Sequence, residues 1–102
     1  MEKLMAERQA ELEEVCRRFR VRRLELFGSA VAGGFREDES DLDFLVEFQP
    51  LGPGEHADAY FGLLQALEDL FGRPVDLVMS VAIRNRYFRG SVDRTRRLVY
   101  AA

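Results

Sequence analysis

Apolar and polar residues alternate along this chain with two different periods, and those periods mark out its elements. From Asp41 to Phe48 the period is two. Asp41, Asp43, Leu45 and Glu47 fall on one face and Leu42, Phe44, Val46 and Phe48 on the other, the pattern of a half-buried strand with a wet acidic side. Over residues 3–19 the period is helical. Leu12, Val15, Cys16 and Phe19 make an apolar stripe, Glu7, Glu11 and Glu14 lie opposite, and Arg17-Arg18 in the last turns suits the helix dipole. A second helix is predicted over 56–71, where Tyr60, Leu63, Leu64, Leu67, Leu70 and Phe71 recur at helical spacing before the stop signal Gly72. Shorter strands are predicted at 24–27 and 74–79. In the latter Val75 and Leu77 share one face, Asp76 and Val78 the other.

The intervening stretches read as connections. Residues 33–39 form a polar loop carrying Glu37-Asp38-Glu39, and Pro50, Gly52, Pro53 and Gly54 break the chain after the acidic strand. Arg20, Arg22 and Arg23 cluster at the entry to the first strand and read as a solvated face. From Ile83 onward six arginines stand against one acid, Asp93, with Tyr87, Phe88, Leu98, Val99 and Tyr100 interleaved. This predicts a short helix and a terminal strand, with a composition suited to a protein partner or to phosphate contact. Strands flanked by helices predict an α+β fold: a mixed sheet of three or four strands with helices packed on one face. Val75 and Leu77 would face those helices as Leu42 and Phe44 do. Asp76 is then left on the open side with Asp41 and Asp43.

Composition narrows the class. One hundred and two residues predict one domain, 1–102, long enough to bury a core. With 47% hydrophobic and 32% charged residues it is ordinary globular material. A formal charge of −3 gives no general case for nucleic-acid binding. The single Cys16 excludes an internal disulfide framework and reads as core packing. Neither a signal peptide nor an apolar run of membrane-spanning length is legible, so a cytoplasmic location is expected.

Two local patterns carry chemistry. Residues two apart on a strand are separated by about 6.6 Å and point the same way, so Asp41 and Asp43 can converge on one or two divalent cations. Two-metal phosphoryl-transfer sites hold their ions about 3.5–4 Å apart, within reach of such a pair. The ordinary alternative is a strand with acids on its solvated face. Ahead of it, the strand at 24–27 runs directly into Gly28-Ser29. Glycine admits close backbone approach, and Ser29 can cap a helix starting at Ala30-Val31-Ala32, whose free amides suit a phosphate. No Gly-Lys-Ser/Thr follows, so it is not a Walker loop.

Phe27-Gly28-Ser29 followed by Ser40-Asp41-Leu42-Asp43-Phe44-Leu45-Val46 resembles the signature of the DNA polymerase β-type nucleotidyltransferases. Size and spacing resemble the minimal nucleotidyltransferases (MNT), antitoxins of HEPN-domain toxins. The likeness continues through Tyr60-Phe61-Gly62-Leu63-Leu64 and Phe71-Gly72-Arg73-Pro74-Val75-Asp76-Leu77-Val78 into the Arg/Tyr-rich C-terminal stretch. It implies a polymerase β-like palm and Mg²⁺-dependent transfer of AMP from ATP to a hydroxyl, a tyrosine of a partner HEPN toxin. Asp41, Asp43 and Asp76 would be catalytic and would hold two Mg²⁺ ions, with Asp76 as base. Gly28, Ser29 and Ser40 would bind the nucleotide. Neither a membrane nor direct nucleic-acid binding is expected. The sequence departs from the family at Ala32, where an arginine is usual, and this bears on nucleotide affinity. The alternative it favours is a catalytically weak antitoxin that neutralises its toxin by binding alone. Transfer to a small molecule such as an aminoglycoside is disfavoured by a length that leaves nothing to enclose the acceptor.

Overall fold

The structure, a computed structural model, describes residues 2–27, 42–79 and 96–102, with the side chains of 2–4 excepted. Alternation decides its sheet. Strand β1 (Val21–Phe27) runs antiparallel to β2 (Leu42–Phe48), with Leu24 opposite Val46 and Leu26 opposite Phe44. Strand β3 (Val75–Met79) lies parallel to β2, and β4 (Arg97–Ala101) antiparallel to β1, giving the order β3-β2-β1-β4. A parallel pair needs a long crossover. The helix α3 (Glu55–Phe71) lies in that crossover, between β2 and β3.

The apolar faces of the strands meet the helices in one core. Leu24 and Leu26, Leu42, Phe44 and Val46, and Leu77 pack with Leu63, Leu67 and Phe71 of α3. The rings of Phe44 and Phe71 stack at 6.0 Å between centroids. Leu12 and Cys16 of α2 (Gln9–Arg18) complete the layer. This is the α+β arrangement expected, a mixed sheet with its helices on one face. Burial pushes the Cys16 thiol up to about 12, consistent with a packing role for this residue.

The N-terminal helix differs from the continuous one expected over 3–19. It breaks at Arg8 (φ −110°, ψ 9°) into α1 (Glu2–Glu7) and α2. The Arg8 N–H reaches Met5 O at 3.3 Å, a tighter turn than the α-helix. Beyond the break Met5 still lies in the core beside Leu12 and Cys16. At the far end of α3, Gly72 takes φ +65° and donates its N–H to Glu68 O at 2.8 Å, the left-handed stop predicted there. No helix among the described residues is long and apolar enough to cross a membrane.

Gly62 sits mid-helix where propensity alone would favour alanine by about 1 kcal/mol. A Cβ built there would overlap the ring of Phe19, at the end of α2. Overpacking of this kind typically costs about 1–3 kcal/mol, so packing outweighs propensity. Gly62→Ala is therefore expected to lower the denaturation midpoint, and Phe19→Ala in the same chain to cost less than the two changes summed. A Gly62→Ala chain more stable than the parent would show that the helix pair is not in close contact there.

Candidate active site

The strand pattern that fills the core also arms the opposite face. With Leu42, Phe44 and Val46 turned inward, Asp43, Leu45 and Glu47 emerge on the other side of β2. The parallel register sets Asp43 beside Asp76 and Leu45 beside Val78. The antiparallel register sets Phe27 beside Asp43 and Glu25 beside Leu45. One row across the sheet therefore reads Asp76, Asp43, Phe27. The next reads Val78, Leu45, Glu25, extended by Leu98 of β4.

Adjacent strands lie about 4.8 Å apart, so the two aspartates are immediate neighbours on one face. Asp76 is exposed and Asp43 half-buried. Two like charges so placed repel unless a cation lies between them. Their oxygens are hard donors of the kind Mg²⁺ takes. Among the described residues no group of three acidic, histidine or cysteine side chains could hold a metal, so the pair would need a further ligand. Asp41, Gly28, Ser29, Ser40 and Ala32 lie outside the described residues. Their chain neighbours do not: Phe27, which precedes Gly28, stands across from Asp43, and the N–H of Leu42, which follows Asp41, donates to Pro74 O at 3.2 Å.

This face is not the uniformly wet one that the alternation suggests. Phe27 and Leu45 are 6% and 5% exposed and pack with Val78, so an apolar patch adjoins the two acids. Glu25 is buried too, at 4% exposure. Its carboxylate accepts two hydrogen bonds from Arg96, Nε and Nη2 each at 2.6 Å, and a third from Arg23 Nε at 3.0 Å. The Arg96 hydrogen bonds hold the Glu25 carboxyl below its usual range, against the opposing effect of burial.

Glu25 and Arg96 are the residues that sequence reading missed. The six C-terminal arginines suit a protein partner or phosphate by composition, yet Arg96 binds Glu25; Arg23 is solvated as expected and also donates to Glu25. Glu25 shares its strand face with Phe27, and a carboxylate buried on that face must be hydrogen-bonded or paired.

A profile of the nucleotidyltransferase domain matches residues 10–99. The chain belongs to that family. As a nucleotidyltransferase it is 38% identical over 76 residues to the protein adenylyltransferase MntA of Thermococcus cleftensis, spanning 74% of this chain and 73% of that one. A solved structure provisionally described as a minimal nucleotidyltransferase superposes with a TM-score of 0.72 at 33% identity, covering 93% of this chain and 92% of its own. The fold also matches, at TM-score 0.64 and 17% identity, a complex of a tri-AMPylated Shewanella oneidensis HEPN toxin with its MNT antitoxin, covering 96% of this chain and 73% of that one. The sheet described above is thus the polymerase β-like palm of minimal nucleotidyltransferases.

Proposed function

We propose that this nucleotidyltransferase is a cytoplasmic antitoxin that transfers AMP from ATP to a hydroxyl, a tyrosine, of a HEPN-type toxin. The observation that carries the reading is the side-by-side register of Asp43 and Asp76 on the face opposite the core, one strand from the end of β1. The kinship with a protein adenylyltransferase supports the same transfer, and the fold shared with a toxin-bound antitoxin supports the same partner.

Asp41, Asp43 and Asp76 would hold Mg²⁺, two ions in the full site. When bound, these ions supply charge stabilisation at the α-phosphate and at the departing pyrophosphate. Gly28, Ser29 and Ser40 would bind the triphosphate. Exposed Asp76 would take the proton of the acceptor hydroxyl. The new bond joins the acceptor oxygen to the α-phosphorus, the bond from that phosphorus to the β-phosphate bridge breaks, and pyrophosphate leaves.

The test is incubation with α-labelled ATP and Mg²⁺, with and without a HEPN-type protein encoded beside this chain. Label on that partner, lost in Asp43→Ala, is the expected result. Absence of label with the unaltered chain would overturn the transfer. Toxin neutralisation that survives Asp43→Ala would point instead to docking alone, and label on an added aminoglycoside to a small-molecule acceptor.

A further inference from the structure

We infer that Tyr60 and Glu68 of α3 are positioning residues for Asp76, an inference that rests on the metal-and-base reading given above. Among the described strands β3 lies at an edge of the sheet, paired only with β2. A parallel ladder is slightly the weaker kind, and an edge strand held on one side alone is free to fray. Because Leu42 N–H donates to Pro74 O, strand alternation turns the peptide groups of Val75 and Leu77 away from β2. Those outward groups are the ones α3 engages. The Val75 N–H donates to Glu68 Oε2 at 3.2 Å, and Tyr60 Oη donates to Leu77 O at 2.6 Å.

The two anchors bracket Asp76, one residue before it and one after. Tyr60 and Glu68 lie eight residues apart, about two turns along one helix face. That face also sends Leu63, Leu67 and Phe71 into the core, so the anchors sit on a rigid support. Asp76 can act with Asp43 only while β3 keeps its place against β2. A displacement of about 1 Å at a reacting group can cost as much as about 100-fold in rate. The helix therefore does more than cover the sheet: it holds the outer edge of the strand that presents one of the two acids.

The experiment compares Tyr60→Phe, Glu68→Ala, Glu68→Gln and Tyr60→Phe/Glu68→Ala with the unaltered chain, with Asp43→Asn and Asp76→Asn alongside. Folding is checked by circular dichroism. Mn²⁺ affinity in the presence of AMP-PNP is read by electron paramagnetic resonance, and AMP transfer to the HEPN-type partner by kcat and KM. Tyr60→Phe and Glu68→Ala are each expected to lower kcat roughly tenfold and weaken Mn²⁺ binding about threefold, within the bound set by misplacement, with KM for ATP within about twofold. Glu68→Gln keeps an acceptor for Val75 N–H and should stay close to the parent. A folded double variant with parental Mn²⁺ affinity and kcat, even if less heat-stable, overturns the inference and leaves the pair a structural role only. If Asp43→Asn and Asp76→Asn also bind Mn²⁺ and transfer AMP normally, the active-site reading itself fails, and the positioning role falls with it.

Discussion

Asp43→Asn is expected to lower AMP transfer by about a thousandfold or more while leaving the fold in place. The change is isosteric and removes one of two carboxylates that sit in register on neighbouring strands. Loss of one group aimed at transition-state charge costs about 100- to 1,000-fold, and loss of a member that acts as part of a unit costs more. Stability without metal should stay within about 1 kcal/mol, since cross-strand like charges contribute on that scale. Binding to the native state alone raises the melting temperature, so added Mg²⁺ with AMP-PNP should stabilise the parent and should do so less in the variant. A variant retaining a tenth of the parental rate, or the full Mg²⁺-dependent rise in melting temperature, would remove Asp43 from the site.

The second large effect concerns stability. Arg96→Ala strips the buried Glu25 carboxylate of its bidentate partner. Breaking a buried pair costs about 3–5 kcal/mol. The Arg96 side chain is itself 34% exposed, against 5% for that of Glu25, and Arg23 remains, so about 2–3 kcal/mol is expected here. For a domain of this size that lowers the melting temperature by about 10 °C or more. The pH dependence follows from the direction of the shift. The folded Glu25 carboxyl lies below its unfolded value of about 4.3, so ionised Glu25 favours the folded state above that value. The contribution is complete at neutral pH and is lost as pH falls through the folded value. Urea titrations should therefore show a constant gap between parent and Arg96→Ala above about pH 5, closing in acid. A gap that widens in acid would mean that Glu25 is not ionised in the native protein.

Much of this geometry is local and can be read from residue order. Alternation from Leu42 to Phe48 decides which side of the strand Asp43 occupies, because successive side chains must point to opposite faces. The same rule groups Asp76 with Val78 and turns Leu77 inward, as the structure finds. The helical stripe and Gly72 set the extent of α3 to within a residue of its predicted start. The Gly28-Ser29 and Asp41-Leu42-Asp43 patterns carry the resemblance that implies nucleotidyl transfer.

Other features depend on how distant segments settle against each other, and no local period encodes that. The alternation of β2 and of β3 each assigns a face, but the register in which Asp43 meets Asp76 is set by how the two distant strands pair. The break at Arg8 interrupts a stripe whose period alone predicts one helix. Glu25 is buried where β2 sets Leu45 beside it, and it is paired because Arg96 arrives from the far end of the chain. Burial cost and ion pairing are sums over neighbours, and neighbours exist only once the chain has folded. Periodicity told each acid which way to face; the assembled sheet decided which groups it would stand beside.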